Sequence, residues 1–197
     1  LTRAGLESMW AAVVAEGYPQ CFINELAPLK PDHRMVGRAR TIRYLPNRKD
    51  LRAKLYAASP QLNYKSAEEA QPGDVLVFDA GGETRSAVSG GVTTTRFLVR
   101  GGSGIVVDGA MRDVPELAAM HIQVYMRRGQ AAAVSPVQMS VDYQVPVRIG
   151  DVATVDEREV LSRISRQDQQ YVRVISYEFR GPPRLAERTH KSFMRSI

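Results

Sequence analysis

Two short, continuously apolar runs constrain the fold of this chain more than any other feature. Val75 to Phe78 form the first run, and Ile105 to Val107 form the second. Runs of this length without alternating polar residues are typical of strands that are covered on both faces, as in a parallel sheet between two layers. Gly81-Gly82 ends the first run and Asp108-Gly109 ends the second. We therefore predict a layered α/β domain built around these two strands.

The segment between these strands, residues 92–99, is ambiguous. Its β-branched residues favour a strand, whereas the glycine pairs on both sides and the need for a crossover between parallel strands favour a helix. We predict a helix. Further helices are predicted at residues 4–16, 51–58, 112–119 and 157–167, strands at 35–44, 123–126, 131–135, 137–147 and 171–179, and a polar loop at 59–70.

Composition excludes several classes of protein. The 197 residues contain no run of about 18 apolar residues, so we expect no membrane span. The N-terminal residues do not resemble a signal peptide. A single cysteine, Cys21, excludes an internal disulfide framework and a cysteine-based zinc site. A cytoplasmic protein is the expectation that follows.

The net charge of +6 and the pI of about 9.7 allow two interpretations. A nucleic-acid-binding surface is one, and an ordinary solvated surface that attracts an anionic substrate is the other. The basic stretches at 34–54 and 158–195 do not interleave aromatic residues as a platform for single-stranded nucleic acid would. We therefore favour the second interpretation and expect no nucleic-acid partner.

The residues best suited to chemistry lie between positions 79 and 116. Arg112 and Asp113 follow the second buried strand, where open α/β sheets bind ligands. A carboxylate there can bind Mg²⁺ or Mn²⁺, and the guanidinium beside it can bind a carboxylate or a developing enolate. Glu116, three residues beyond Asp113, would lie on the same helix face. Alternatively, both acids only stabilise a helix N-terminus, and Arg112 pairs with a surface acid.

Gly90-Gly91 is the second element of this candidate site. Successive glycines before a helix allow backbone amides to approach an anion closely, although a flexible turn is the alternative interpretation. Arg85 could reach the same cleft or lie on the surface. The histidines show no metal-ligand spacing and are separated widely in the sequence. They are His33, His121 and His190.

Several stretches of the sequence resemble one protein family. PGDVLVFDAGG at 72–82, Gly90-Gly91 and GGSGIVVDGAMRDVPEL at 101–117 are similar to the core of RraA-like proteins, as are GRARTIRYLP at 37–46 and VPVRIG at 145–150. That family includes 4-hydroxy-4-methyl-2-oxoglutarate aldolases and proteins formerly described as demethylmenaquinone methyltransferases. The resemblance implies a layered β/β/α swivelling-type domain with a central mixed sheet. It also implies a homotrimer or homohexamer.

The resemblance implies roles for individual residues as well. Asp113 would hold Mg²⁺ or Mn²⁺ largely through water, and Glu116 would be the compensating acid of a subgroup with glycine at position 91. Arg112 would bind the carboxylate or keto oxygen of a small 2-oxo acid. Four residues would cradle the substrate carboxylate with backbone amides: Gly90, Gly91, Val92 and Thr93.

The C-terminal part departs from the family pattern after residue 150. The family continues with strands of the form Gly-Val-x-Val-x-Pro-Gly-Asp and Asp-Gly-Val-Val-Val-x-Pro, whereas DVATVDEREVLSRIS follows here. We therefore expect an RraA-like α/β domain over residues 1–155 and a divergent appendage of helix and strand over 156–197.

The motif and the resemblance together favour a class II pyruvate aldolase, a metal-dependent carbon–carbon lyase. It would cleave a 4-hydroxy-2-oxo acid to pyruvate. Oxaloacetate decarboxylation is the expected side activity, because both reactions form pyruvate enolate. The alternative is an RraA-like protein-binding regulator of ribonuclease activity without catalysis, which does not need the Arg112-Asp113 pair.

Overall fold

The computed structural model describes residues 5–19, 21–58, 61–150, 152–153, 164–167 and 170–173. The helices are α1 (Leu6–Ala15), α2 (Lys49–Ala58), α3 (Leu62–Glu68), α4 (Gly91–Val99) and α5 (Val114–Ala119). The strands are β1 (Ala27–Pro28), β2 (Arg38–Pro46), β3 (Asp74–Asp79), β4 (Ala87–Ser89), β5 (Gly104–Met111), β6 (Gln123–Gly129), β7 (Gln138–Tyr143), β8 (Arg148–Ile149), β9 (Val152–Ala153), β10 (Ile164–Gln167) and β11 (Gln170–Arg173). Helices and strands alternate from β2 to β6, which confirms the predicted α/β class.

A seven-stranded mixed sheet organises the larger of two compact units, which includes the described residues 22–58 and 61–150. Its order is β1-β6-β5-β3-β2-β7, with β4 paired to β5. Strands β2, β3, β5 and β6 are parallel to their neighbours in this series, whereas β1 and β7 are antiparallel edge strands. Because β3, β4 and β5 point the same way, the residues that follow them gather at one edge of the sheet.

Strand β3 is covered on both faces, as its apolar sequence predicted. Leu76 and Phe78 belong to the main core, together with Phe97 of α4. Val75 and Val77 point to the opposite face and belong to a second cluster, since side chains alternate along a strand. This second cluster also contains Val147 and Ile149.

Helix α4 confirms the helical interpretation of residues 92–99. Phe97 is fully buried, and a Cβ at Gly102 would lie 2.2 Å from its ring, so the helix packs tightly against the turn that follows it. Two of its β-branched threonines are accommodated because their hydroxyls donate to carbonyls one turn back, Thr94 to Gly90 and Thr95 to Gly91, each at 2.9 Å. The crossover between parallel strands therefore outweighs the local β propensity.

Two predictions about irregular segments were wrong. Residues 59–70 were predicted to be a loop, but α3 lies within them, because Leu62 and Ala67 are buried against the core. Residues 131–135 were predicted to be a strand, but they form only an isolated bridge, between Ala133 and Ala87.

Most of the other predicted helices and strands are present in the structure, and two predictions in the C-terminal part fall partly outside the described residues. Helix α1 and strands β2, β6 and β7 are confirmed, as are helices α2 and α5, with bounds that shift by a few residues. Of the helix predicted at 157–167, residues 157–163 lie outside the described part, and the rest form β10. Of the strand predicted at 171–179, residues 171–173 lie in β11 and 174–179 lie outside the described part. No helix among the described residues combines the length and the apolar character needed to cross a membrane.

Candidate active site

Asp113 connects the starts of two helices. It precedes α5 with a left-handed backbone (φ 57°), a conformation that Asp adopts more readily than most residues. Its Oδ2 accepts a hydrogen bond from the Gly91 N–H at 2.8 Å, and the Nε of Arg112 lies 3.6 Å from the same oxygen. The sequence had suggested that Asp113 lies in the first helical turn. It lies before the helix instead, so helical spacing does not relate its carboxylate to that of Glu116.

Gly90 is required at its position for steric reasons. Its φ of −161° is an ordinary extended conformation, so no positive φ demands glycine. However, a Cβ at Gly90 would lie 2.4 Å from Oδ2 of Asp113 and 2.6 Å from Cγ of Arg112. A Cβ at Gly91 would meet its nearest atom at 3.5 Å, an ordinary contact. The first glycine of the pair therefore makes room for Arg112 and Asp113.

The N-terminus of α4 can bind an anion. The Gly91 N–H is donated to Asp113, whereas the N–H groups of Val92 and Thr93 bond to no acceptor among the described residues. A helix N-terminus carries about half a positive charge, and its first amides have no partner within the helix. The amides of Val92 and Thr93 are therefore available for a carboxylate.

A cavity of about 230 Å³ opens at this edge of the sheet. It is lined by residues of the predicted site, among them Gly90, Thr93 and Arg112. The half-buried Arg112 faces the cavity, and Asp113 lies directly behind it. The cavity therefore brings a guanidinium and the start of α4 together around a space suited to a small ligand.

Few oxygen donors for a metal ion are present. Asp113 is half-buried, and Glu116 is exposed in the first turn of α5. Within the described ranges, no group of three or more His, Cys, Asp or Glu residues could hold a metal ion. Because Mg²⁺ keeps several waters and needs only one or two protein carboxylates, these donors fit a hydrated cation. They do not fit a tetrahedral zinc site enclosed by protein ligands.

Comparison with known proteins identifies the family. Residues 10–162 match the sequence profile of the RraA-like family, described as Aldolase/RraA. The chain belongs to the RraA-like family.

A Halalkalibacterium halodurans protein provisionally named 4-hydroxy-4-methyl-2-oxoglutarate aldolase is 32% identical over 129 residues, which are 66% of this chain and 56% of that protein. The 4-hydroxy-4-methyl-2-oxoglutarate aldolase of Thermus thermophilus is 35% identical over 89 residues, which are 45% of this chain and 47% of the relative. The chain spans about half the length of the curated relatives it matches.

A solved RraA-like structure shows the same fold. Streptomyces coelicolor RraAS2, described as an unusual member of the RNase ES inhibitor RraA protein family, is 29% identical to this chain with a TM-score of 0.69. The similarity covers 79% of this chain and 74% of RraAS2. The predicted α/β architecture with a central mixed sheet is therefore the RraA fold.

Some residues that line the cavity of this RraA-like protein were not predicted from the sequence. Arg52 and Tyr56 come from α2, and Asn63 comes from α3, which was predicted to be a loop. Ser89 also lines the cavity, and its buried hydroxyl has no hydrogen-bond partner among the described residues. These positions have no local sequence motif, because tertiary packing alone brings them to the site.

Other polar residues considered from the sequence lie elsewhere. Arg85 is exposed and pairs with Glu83, and both line a separate cavity. The pKa of Glu83 is lowered to about 2 by its hydrogen bond to the Arg85 guanidinium. His33 and His121, although distant in sequence, form an edge-to-face ring pair with centroids 5.7 Å apart. His190 lies outside the described residues.

Proposed function

We propose that this chain is a divalent-metal-dependent aldolase that cleaves a 4-hydroxy-2-oxo acid to pyruvate. The observation that carries the proposal is the convergence of Arg112 and the start of α4 on one cavity, with the Asp113 carboxylate next to both of them. Two curated relatives named for 4-hydroxy-4-methyl-2-oxoglutarate aldolase activity support it.

The first step is binding of the 2-oxo acid end of the substrate. The N–H groups of Val92 and Thr93 donate to its carboxylate, which the positive end of α4 also favours. Arg112 donates to the neighbouring keto oxygen. Asp113, whose Oδ2 lies 3.6 Å from the Arg112 Nε, is the positioning residue for this guanidinium.

Bond cleavage follows from this arrangement. A water molecule acting as a base accepts the proton of the 4-hydroxyl group, a carbonyl forms at C4, and the C3–C4 bond breaks. The electron pair of that bond moves into the C2–C3 bond and displaces negative charge onto the keto oxygen beside Arg112. The guanidinium stabilises that charge more than it stabilises the neutral ketone. The enolate then takes a proton at C3 to give pyruvate.

A divalent cation, Mg²⁺ or Mn²⁺, is the proposed cofactor. Asp113 and Glu116 would hold it, largely through water, as the small donor set requires. When bound, such a cation supplies positive charge that lowers the energy of an enolate oxygen. Oxaloacetate gives the same pyruvate enolate when it loses CO₂, so decarboxylation of oxaloacetate is proposed as a side activity.

The test of this function is cleavage of 4-hydroxy-4-methyl-2-oxoglutarate by the full chain in Mg²⁺, followed as pyruvate. Arg112→Lys keeps a positive charge but loses the planar paired donors, so we expect kcat/KM to fall about 10²-fold. Arg100→Lys is the matched control, because Arg100 follows α4 at the end remote from the cavity. Unchanged kcat/KM in Arg112→Lys contradicts the proposed role of the guanidinium.

A regulatory function without catalysis is the second candidate. Its support is the similarity to RraAS2, whose family is described as inhibitors of RNase ES. Binding to a ribonuclease requires a surface and not the chemistry of Arg112. If inhibition of a ribonuclease were found in wild type and retained in Arg112→Lys, while neither protein cleaved the substrate, this second function would replace the first.

The assembly and location are also proposals. We propose a homotrimer or homohexamer in the cytoplasm, with a small 2-oxo acid as the ligand and no nucleic-acid partner. Light scattering coupled to size exclusion would give three or six times the 21.9 kDa chain mass. A monomeric mass would contradict the assembly, and RNA binding that weakens steeply with salt would contradict the absence of a nucleic-acid partner.

A further inference from the structure

Two arginines from different elements line the candidate active-site cavity. Arg112 follows β5, and Arg52 comes from the middle of α2. No aspartate or glutamate is among the described residues that line this cavity. Its lining therefore complements a ligand with two anionic groups, one for each guanidinium.

Among the described residues, Arg52 has no acidic partner, unlike two other arginines nearby. Arg48 is paired with Asp50, and Arg96 is paired with Glu68. Arg52 forms no ion pair within the part of the chain that the structure describes, and it makes one hydrogen bond there, from Nη1 to the Ser135 carbonyl at 2.6 Å. A guanidinium has five N–H donors. Four of these donors have no acceptor among the described residues, and a half-buried arginine of this kind is suited to bind an anion from solution.

Tyr56 fixes the orientation of this guanidinium. It lies one turn beyond Arg52 on α2, and the guanidinium carbon is 5.1 Å from the centre of its ring. Stacking on an aromatic face restricts the plane of the guanidinium and leaves its edge available for hydrogen bonds. The Ser135 carbonyl holds one corner of the group, so Arg52 is positioned before a ligand arrives.

We propose that Arg52 determines substrate specificity by binding a second carboxylate, at the end of the 2-oxo acid remote from Arg112. Tyr56 is a positioning residue for this interaction. The inference rests on the proposed function for the assignment of the 2-oxo end to Arg112. It goes beyond that function because it assigns recognition of the distal carboxylate to one residue of α2, Arg52.

The test measures equilibrium binding, so it does not depend on turnover. The probes are 2-oxoglutarate, which has a distal carboxylate, and 2-oxopentanoate, which has none, each titrated calorimetrically into the full chain with Mg²⁺. We expect wild type to bind 2-oxoglutarate at least about 10-fold more tightly. Arg52→Gln should weaken 2-oxoglutarate binding about 10- to 100-fold and change 2-oxopentanoate binding less than about threefold. Arg52→Lys should retain part of the preference.

Control variants distinguish recognition of the distal carboxylate from general effects of the substitutions on charge and folding. Arg48→Gln removes the same charge at the residue before α2, outside the cavity, and should leave the ratio of the two affinities unchanged. Tyr56→Phe should keep the ratio, whereas Tyr56→Leu should lower it about threefold. No preference in wild type, an unchanged ratio in Arg52→Gln, or an equal loss for both ligands would overturn the inference. The equal loss would show a purely structural role for Arg52.

The two proposals fail in different ways. Absence of lyase activity together with a preference that depends on Arg52 would contradict the proposed function and leave the anion site intact. Cleavage of 4-hydroxy-2-oxo acids without any such preference would contradict the anion site and leave the lyase function intact.

Discussion

Oδ2 of Asp113 accepts a hydrogen bond from the Gly91 N–H at 2.8 Å, across 22 positions of sequence. This bond joins the start of α5 to the start of α4 and fixes the acidic group beside the Arg112 guanidinium. Its acceptor depends on the left-handed backbone of Asp113, and its donor follows Gly90, where a side chain would collide with Asp113. The hydrogen bond between Gly91 and Asp113 therefore holds the starts of α4 and α5 together at the candidate site.

Gly90→Ala should inactivate the site without unfolding the protein. The new methyl group would meet Asp113 and Arg112 at well under contact distance and displace both. A displacement of about 1 Å can reduce turnover about 10²-fold. Steady-state pyruvate release measures the effect, and Gly91→Ala, whose methyl would have ordinary contacts, should cause a much smaller loss. Equal losses in the two variants would contradict the steric explanation.

Asp113→Asn should remove the negative charge at this position and keep the stability of the fold. An amide oxygen can still accept the Gly91 N–H, and asparagine tolerates the left-handed conformation, so stability should change little. Asp113→Ala loses both features and should lower the free energy of unfolding by about 1–2 kcal/mol. Urea denaturation measures the difference. A stable Ala variant would show that the hydrogen bond contributes little to folding.

Phe97→Ala should destabilise the layer that carries α4. The ring is fully buried and packs against Gly102, so truncation leaves a cavity in the main core. We expect a loss of about 3–5 kcal/mol in the free energy of unfolding, as for other buried aromatic residues. Val99→Ala, at an exposed position of the same helix, is the control and should change stability by less than about 0.5 kcal/mol.

Asp74 should make stability depend on pH in acid. Burial alone would raise the pKa of Asp74, but the Gln71 N–H and the guanidinium of Arg40 outweigh it and hold the pKa below its usual value. A lowered pKa stabilises the fold above the unfolded value, near 3.9, and that contribution is lost as pH falls through the folded pKa. Unfolding free energies from pH 7 to pH 2 should therefore fall less steeply in Asp74→Asn. Identical slopes would contradict this assignment.

Asp74→Asn should also be less stable at pH 7. Asp74 is buried and bonds to Arg38 and Arg40, so removing its charge leaves the half-buried Arg40 without its closest acidic partner. Breaking a buried pair typically costs about 3–5 kcal/mol. The exposure of Arg38 places the expected loss at the lower end of that range.

The sheet and α4 could be predicted because their signals are local or topological. The apolar run in β3 reflects burial on both faces, and the parallel pairing of β3 with β5 requires a crossover. The conformation of Asp113 could not be predicted, because its partner is an amide far away in the sequence. The same holds for Arg52, which reaches the cavity only through the packing of α2, and for α3, whose sequence is polar apart from a few buried positions.

Metal-dependent enolate formation is tested most directly by pyruvate release from oxaloacetate by the metal-stripped chain, before and after Mg²⁺ is restored, in wild type and Asp113→Asn. We expect turnover in wild type that EDTA abolishes and Mg²⁺ restores, and a loss of about 10²-fold or more in the folded variant. Turnover that is insensitive to EDTA, full activity in Asp113→Asn, or no turnover by folded wild type with Mg²⁺ or Mn²⁺ would contradict it.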